Sequence, residues 1–272
     1  MPETADLFHV DAFADGPLRG NPAAVCLLAR ERDAWWMQAL AAEMNLSETA
    51  FVAPAGGVAA ADEIGLRWFT PKVEVALCGH ATLASAHVLW ESGRRDADRP
   101  IRFATRSGPL VVSRRDDGWI EMDFPARGTS ALEPPEGLIE ALGIQPVAVR
   151  RTSESDVLVE AFDAETVRAL QPDLGLLARL EARGIVVTAR ADDGEHDFVS
   201  RFFAPAVGVP EDPVTGSAHC ALGPYWGKRL GKDRLRAYQA SERGGVVEVT
   251  LRGDRVLLGG QAVTVVEGRL RI

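Results

Sequence analysis

The sequence is poor in cysteine, has no excess of basic residues and lacks any long apolar run. Its 272 residues include three cysteines, Cys26, Cys78 and Cys220, with no CxxC spacing, so neither a disulfide framework nor a zinc site is indicated. Free thiols in this number are typical of a reducing compartment, which predicts a cytoplasmic protein. The 39 acidic residues outnumber the 30 basic ones, and a net charge of −9 argues against a nucleic-acid partner.

The sequence also shows no pattern typical of a targeting segment or a membrane-spanning segment. The first six residues are polar and acidic and do not lead into an apolar run, so they do not resemble a secretory signal. No uncharged stretch approaches the roughly 20 apolar residues that cross a bilayer. With 46% hydrophobic and 25% charged residues, the composition is that of an ordinary globular protein. The sequence therefore predicts one large domain, or two of about 130 residues, and no membrane partner.

Runs rich in Val, Ile, Phe and Trp, separated by Gly, Pro and Asp, predict an alternation of strands across the chain. The predicted strands lie at 7–13, 23–28, 48–53, 63–70, 101–104, 110–113 and 119–124 in the first half, and at 147–151, 157–161, 185–189, 198–203, 246–251, 256–258 and 262–271 in the second.

Helices interrupt these strands at similar places in each half. One is predicted to follow Asp33, which is a good N-cap residue. A second, Gly79–Glu91, is small and apolar on nearly every side, which predicts a buried central helix. A comparable helix is predicted to start near Gly216 and run towards position 229, and shorter surface helices are predicted at 135–142 and 164–180.

A short pattern occurs twice. Arg67-Trp68-Phe69-Thr70-Pro71 precedes Cys78 by 11 residues, and the Arg-Phe-Phe-Ala-Pro segment that begins at Arg201 precedes Asp212 by the same number. The offset of 134 residues is close to half the chain and indicates an ancient duplication. We predict two pseudo-symmetric lobes, 1–120 and 121–272, with the strand at about 262–272 a candidate for return to the first lobe. Cys78 and Asp212 are then expected at equivalent helix starts.

The predicted helix starts suggest a chemistry. A helix N-terminus presents unpaired N–H groups and the positive end of the helix dipole, and glycine there allows close approach of a ligand. The segments Cys78-Gly79-His80 and Thr215-Gly216-Ser217 therefore suit a carboxylate. Proton carriers beside such a receptor suit proton abstraction from a small carboxylic acid.

Four segments stand in this order along the chain: Asp11-Ala12-Phe13 with Gly20-Asn21-Pro22, Asn45 to Phe51 (NLSETAF), Cys78-Gly79-His80-Ala81-Thr82, and Glu211 to Ala218 (EDPVTGSA). Taken together, these segments resemble the PhzF-like phenazine-biosynthesis family of the diaminopimelate-epimerase-like superfamily. The resemblance implies an α+β fold of two lobes, each a curled, mainly antiparallel sheet around a central helix, with the active site between the lobes. It also implies a homodimer and no metal or organic cofactor.

Carried over position by position, the resemblance gives Glu48 the role of the catalytic base that moves a proton between substrate carbons. His80 and Asp212 match catalytic positions that flank the substrate. Substrate-binding roles fall on Gly79, Gly216, Ser217 and Asn21. The implied activity is that of a cofactor-independent isomerase, similar to trans-2,3-dihydro-3-hydroxyanthranilate isomerase, acting on a small unsaturated or hydroxylated carboxylic acid.

Several alternatives remain open at this stage. Cys78 falls where the related epimerases carry one of two catalytic cysteines, but Asp212 stands in place of the second, which disfavours two-thiol racemisation. An epimerase, racemase or dehydratase that uses Cys78 with Asp212 is one alternative, and a non-catalytic ligand-binding protein is another. Each site residue also has a purely structural interpretation. Glu48 could be an exposed residue at a strand edge, His80 a core histidine and Asn21 a turn residue. No metal site is predicted, since no carboxylate or third histidine lies at ligand spacing from His80 and His87.

Overall fold

The computed structural model describes residues 4–55 and 62–272, which form eighteen strands and six α-helices. The strands are β1 Thr4–Ala12, β2 Asn21–Leu27, β3 Glu48–Pro54, β4 Ile64–Phe69, β5 Glu74–Val75, β6 Ile101–Thr105, β7 Gly108–Arg114, β8 Ile120–Pro125, β9 Thr129–Ala131, β10 Ala148–Thr152, β11 Val157–Glu160, β12 Ile185–Arg190, β13 Phe198–Ala204, β14 Val209–Asp212, β15 Arg234–Gln239, β16 Gly245–Arg252, β17 Arg255–Gly260 and β18 Ala262–Arg271. The helices are α1 Ala34–Met44, α2 Gly79–Glu91, α3 Leu138–Leu142, α4 Ala164–Ala169, α5 Leu174–Leu177 and α6 Gly216–Leu230. None of these helices is long and apolar enough to cross a membrane.

The chain divides into two compact units. Unit 1 comprises Met1–Asp123 together with Gly259–Ile272, and unit 2 comprises Phe124–Leu258. The two boundaries fall within β8 and within β17. Strand β18 belongs to unit 1, where it pairs antiparallel with β1 over the length of both strands.

The two units repeat one order of strand pairing. In unit 1, β1 pairs antiparallel with β2, β2 parallel with β3, β3 antiparallel with β4, β4 parallel with β6, and β6 antiparallel with β7. In unit 2, the same alternation runs through β10, β11, β12, β13, β15 and β16. The strand pairing of both units is thus mainly antiparallel, and the prediction of an α+β fold is confirmed.

The register of pairing repeats as well. Ile64 of β4 lies opposite Phe103 of β6, and Phe198 of β13 lies opposite Ala237 of β15. Adding 134 to the first pair of numbers gives the second, which is the offset of the repeated arginine pattern. Because a one-residue slip would reverse the buried face of a strand, this agreement is strong support for a duplication.

The central helices are buried because their side chains are small and apolar. In α2, every residue from His80 to Trp90 is buried except His87, and the helix packs on β1, β2, β3 and β18. In α6, two glycines allow close approach to β16. A Cβ at Gly223 would lie 2.6 Å from Val249 Cγ1, and one at Gly227 would lie 2.5 Å from Leu251 Cδ1.

This close contact predicts that Gly227→Ala destabilises the protein. The added methyl group would meet Leu251 and lie 2.9 Å from the backbone oxygen of Lys232, which cannot move aside as a side chain can. Overpacking of a core costs about 1–3 kcal/mol, whereas the gain in helix propensity is at most about 1 kcal/mol. We expect a lower free energy of unfolding in urea. The control is Gly128→Ala, where an added Cβ meets nothing within 4 Å; equal stabilities of the two variants would contradict the packing argument.

Two features of the secondary structure differ from the prediction. The helix predicted at 164–180 is two short helices, because Pro172 lacks an N–H group and disfavours helical backbone before it, after which Asp173 caps α5. Strands β5, β9, β14 and β15 were missed. The sequence pattern that could have predicted β15 is an alternation of buried and more exposed residues. Leu235, Ala237 and Gln239 are buried, and the residues between them are partly or fully exposed.

Candidate active site

A histidine and a carboxylate meet inside unit 1. Glu48 is the first residue of β3 and His80 the second residue of α2, and their Nε2 and Oε2 atoms are 3.1 Å apart. The side chain of His80 is 7% exposed and that of Glu48 is 18% exposed, so the carboxylate is the more accessible member of the pair. The pairing follows from the fold, because α2 packs directly on β3.

Cys78 completes this cluster. It is the N-cap residue of α2, and its Sγ lies 3.6 Å from Nδ1 and 3.9 Å from Nε2 of His80. The hydroxyl of Thr82 donates a hydrogen bond of 2.6 Å to the Cys78 carbonyl oxygen, which ties the N-cap to the first turn of the helix. The structure therefore brings together three of the predicted site residues, Glu48, His80 and Cys78.

Burial and neighbouring charges shift the pKa values of Cys78 and His80. Burial, together with the nearby Glu48 carboxylate, raises the pKa of the Cys78 thiol to about 11, so the thiol is neutral at physiological pH. For His80, burial disfavours the charged ring, but interactions with Cys78 and with the Glu48 carboxylate outweigh it and raise the pKa well above its ordinary value. The site therefore favours a protonated His80 ring beside Glu48.

The raised thiol pKa predicts that Cys78 alkylates slowly. Because the thiolate is the nucleophile, we expect iodoacetamide to modify native Cys78 at pH 7 far more slowly than an unfolded cysteine, roughly in proportion to the smaller thiolate fraction. The rate should rise as pH increases towards 11. Peptide mass spectrometry after timed alkylation in native and denaturing buffers measures both rates. Rapid native modification at pH 7 would contradict a neutral, buried thiol.

The start of α2 has backbone donors to offer a ligand. The Cys78 side chain does not cap the helix, and Gly79 is its first residue. The first turn of a helix has N–H groups without intrahelical acceptors, and these favour an anion. The predicted substrate-binding role of Gly79 fits this arrangement.

A second polar cluster lies in unit 2 at the start of α6. The Thr215 hydroxyl donates to Asp212 Oδ2 at 2.6 Å, and the backbone N–H of Thr215 donates to Gln239 Oε1 at 2.8 Å. Gln239 Nε2 in turn donates to the Asp212 backbone oxygen at 2.7 Å. Gln239 is fully buried and was not among the predicted site residues; a glutamine at the end of an alternating strand is the signal that could have identified it.

The predicted equivalence of Cys78 and Asp212 is corrected by this geometry. Helix α6 begins at Gly216 with Thr215 as its N-cap, so Thr215 is the counterpart of Cys78, and Asp212 lies three residues earlier at the end of β14. The reason is a longer connection in unit 2, which contains a 3₁₀ turn at Pro205–Val207 before β14. The Thr215 hydroxyl is engaged with Asp212, and its side chain makes no capping hydrogen bond to α6.

Ser217 and Gly216 occupy the first turn of α6. The Ser217 hydroxyl oxygen accepts a hydrogen bond of 3.2 Å from Arg183, whose guanidinium also donates to both carboxylate oxygens of Asp156, at 2.8 and 2.5 Å. Ser217 is therefore oriented by a buried aspartate through an arginine. Its predicted role in substrate binding stays a prediction.

Asn21, the remaining predicted site residue, is the first residue of β2 and is fully buried. It lies opposite Ala12 of β1, directly after a turn in which Gly20 has a φ of 61°. A Cβ at Gly20 would lie 2.2 Å from the Ala12 backbone oxygen, so this turn requires glycine. Asn21 is therefore not itself a turn residue, as one interpretation of the sequence had it. It follows the turn and begins the strand.

The unit 1 cluster also corrects the argument from ligand spacing. One donor atom each from Glu48, Cys78 and His80 lie within 4.8 Å of one another, which is a group able to hold a metal ion. Sequence spacing missed it, because Glu48 comes from a strand about thirty residues upstream of the helix.

Comparison with known proteins identifies relatives of the whole chain. The sequence model of the family described as phenazine biosynthesis-like protein (PhzC-PhzF) matches residues 10–268. An uncharacterized isomerase from Halalkalibacterium halodurans is 52% identical over 268 residues, which cover 98% of each chain. A crystal structure of a PhzF family protein from Enterococcus faecalis is 39% identical with a TM-score of 0.92, and covers 99% of this chain and 100% of that one.

A more distant likeness concerns the fold alone. A probable proline racemase from Agrobacterium radiobacter is 12% identical with a TM-score of 0.64, over 98% of this chain and 92% of that one. The predicted diaminopimelate-epimerase-like fold is confirmed by this likeness, and the predicted enzyme class by relatives named as isomerases. The chain belongs to the phenazine biosynthesis-like (PhzC-PhzF) family.

Proposed function

We propose that this enzyme is a cofactor-independent isomerase that shifts a proton within a small unsaturated or hydroxylated carboxylic acid, similar to trans-2,3-dihydro-3-hydroxyanthranilate. The observation that carries the proposal is the Glu48–His80 pair, 3.1 Å apart beside the open N-terminus of α2. A partly buried carboxylate with a hydrogen-bond partner has a defined orientation, which proton transfer requires.

In this proposal Glu48 is the base. Its carboxylate takes a proton from a substrate carbon, the electron pair moves into the conjugated system of the acid, and the protonated Glu48 returns the proton to another carbon. His80 holds Glu48 Oε2 and balances the carboxylate charge before transfer. The first-turn N–H groups at Gly79 bind negative charge on the substrate, and preorganised donors of this kind stabilise charge that develops during reaction.

Asp212 is proposed as a second proton carrier. Asp212→Asn removes the charge but leaves an oxygen that can accept from Thr215, so the local hydrogen bonds survive. We expect about a 10²-fold lower rate of solvent deuterium uptake into the substrate with folding unchanged. The control is Asp254→Asn at an exposed position of the same unit. An unchanged rate in Asp212→Asn would remove Asp212 from the reaction.

The proposal is tested by incubating the enzyme in D₂O with a panel of unsaturated and hydroxylated carboxylic acids and following the substrate carbons by NMR. Deuterium uptake with a moved double bond supports an isomerase. Uptake with inversion at one carbon supports an epimerase or racemase, loss of water supports a dehydratase, and binding without any uptake supports a non-catalytic ligand-binding protein. Two-thiol racemisation is disfavoured, since Thr215 and not a cysteine is the counterpart of Cys78.

We further propose that the protein acts as a homodimer in the cytoplasm, on the basis of the family resemblance and the low cysteine content. Light scattering after gel filtration measures the mass in solution, and a mass equal to that of one 29.3 kDa chain would contradict the dimer. Fractionation of cells that produce the protein tests the compartment.

A further inference from the structure

We propose that Glu48, Cys78 and His80 form a binding site for Zn²⁺, and that bound zinc stops proton transfer. The second part rests on the proposed function, whereas the binding itself does not. The starting observation is that a sulfur, an imidazole nitrogen and a carboxylate oxygen lie within 4.8 Å of one another in one unit. These are the three ligand types that zinc takes in proteins.

The distances are close to those of a tetrahedral site. With metal–ligand bonds of about 2.0–2.3 Å, neighbouring ligand atoms in a zinc tetrahedron lie roughly 3.3–3.6 Å apart. His80 Nε2 is 3.1 Å from Glu48 Oε2 and 3.9 Å from Cys78 Sγ, so each separation differs from this range by a few tenths of an ångström. The Glu48 and Cys78 donor atoms, which lie within 4.8 Å of one another, must approach by up to about 1.2 Å to reach the upper end of this range. Three protein ligands leave the fourth position for water or a substrate carboxylate, as in catalytic zinc sites.

Zinc binding changes the number of protons on the cluster but leaves its net charge unchanged. Without metal, the cluster holds a neutral thiol, an imidazolium and a carboxylate, which sum to zero. With Zn²⁺, it holds a thiolate, a neutral imidazole, a carboxylate and two positive charges, which again sum to zero. Two protons leave for each ion bound, and the buried site carries no new net charge, so the penalty for an uncompensated buried charge does not arise.

The same donor set predicts selectivity. Mg²⁺ and Ca²⁺ require six or more oxygen ligands, and this cluster offers one carboxylate. Zn²⁺ and Co²⁺ accept four-coordinate sites with sulfur and nitrogen. Because the Cys78 thiol must lose its proton, apparent affinity should be modest near pH 7 and rise with pH, by up to roughly 100-fold per pH unit while two protons are released.

The consequence for the reaction is direct. Zinc binds through the Glu48 oxygen that accepts the substrate proton and through the His80 nitrogen that holds it. A carboxylate bound to metal is no longer an available base, so zinc should inhibit the isomerase by occupying its proton-transfer groups.

The binding experiment uses the full chain purified with chelator and then titrated with ZnCl₂ in buffers of different ionisation enthalpy. Calorimetry should show one ion per chain and the release of about two protons. Cys78→Ala should weaken binding on the order of 100-fold or more, since loss of a ligand costs at least as much as loss of a group that orients one. In parallel, CoCl₂ should give a near-ultraviolet thiolate-to-cobalt absorption band in the wild type that Cys78→Ala lacks.

Two matched controls exclude other thiols and histidines. Cys220→Ala removes another buried cysteine, and His87→Gln removes a histidine paired with Glu91, and both should keep wild-type affinity and stoichiometry. Absence of binding to the wild type at millimolar Zn²⁺, or equal binding by Cys78→Ala, would overturn the site. Equal affinity for Mg²⁺ would also overturn it.

The inhibition experiment measures deuterium exchange at saturating Zn²⁺. Loss of exchange that chelator reverses, and that is absent in a MgCl₂ control, supports the inhibition. Exchange that continues in zinc-saturated enzyme would overturn the inhibition. Failure to find any exchanging substrate would count against the proposed function alone, because the calorimetric and cobalt results need no substrate.

Discussion

Replacement of Glu48 by glutamine is expected to abolish solvent deuterium exchange into the substrate while the protein stays folded. Glutamine keeps the size of the side chain and an oxygen near His80 Nε2, but it cannot accept a proton from carbon at neutral pH. General base catalysis contributes about 10²–10⁴-fold, and we expect a loss of that size. The measurement is the initial rate of deuterium uptake by NMR, with thermal unfolding as a check on stability.

Glu43→Gln is the matched control for this change. Glu43 is exposed on α1 in the same unit, so its variant should exchange at the wild-type rate. Exchange by Glu48→Gln at the wild-type rate would clear Glu48 of the role of base and shift attention to Cys78 with Asp212. Loss of stability in Glu48→Gln without loss of exchange would indicate a structural partner of His80 only.

Removal of the repeated arginine from unit 2 is expected to destabilise the protein by about 3 kcal/mol, the lower end of the cost of breaking a buried ion pair. Arg201 is 10% exposed, donates to both carboxylate oxygens of Glu211 at 2.7 and 2.8 Å, and also donates to the backbone oxygen of Leu170 at 2.6 Å. Arg201→Met keeps most of the aliphatic packing and removes all of these bonds. Urea unfolding measures the loss.

The equivalent change in unit 1 serves as comparison. Arg67 donates to both carboxylate oxygens of Glu74 at 2.8 and 3.0 Å, but its side chain is 23% exposed, and Glu74 keeps a second partner in Arg106 at 2.8 Å. Arg67→Met should therefore cost about 1 kcal/mol, as for an ordinary hydrogen bond. Equal losses in the two variants would contradict the argument that burial and the remaining partner decide the cost.

The sequence predicted those elements correctly whose structure depends mainly on residues close together in the chain. The bounds of α2 match the predicted Gly79–Glu91, because a stretch of mostly small and apolar residues favours one buried helix. The N-cap at Asp33 is also confirmed, since its side chain accepts from the backbone N–H of Trp36. The spacing after Arg67 and Arg201 was a sound guide to the duplication, as the strand register shows.

The sequence was less informative where a long-range contact or a loop length decides the structure. Three extra residues in the hairpin before α6 place Asp212 ahead of the helix start. The spacing from Arg201 to Asp212 equals that from Arg67 to Cys78, so the sequence pattern did not reveal this insertion. The approach of Glu48 to His80 joins the start of a strand to the start of a helix, and only family resemblance pointed to both. Gln239 was not predicted as a site residue because no strand was predicted at 234–239, although buried and exposed positions alternate there.

The pairing of β1 with β18 has a consequence for folding during synthesis. These strands lie at opposite ends of the described chain, whereas unit 2 is contiguous between them. On the ribosome, unit 2 can complete its sheet while β1 still has one edge without its neighbour. An unpaired strand edge is a template for association with other chains. The slow, long-range closure of β18 onto β1 is therefore the step at which a nascent chain is most exposed to aggregation, and the step at which chaperones have most to protect.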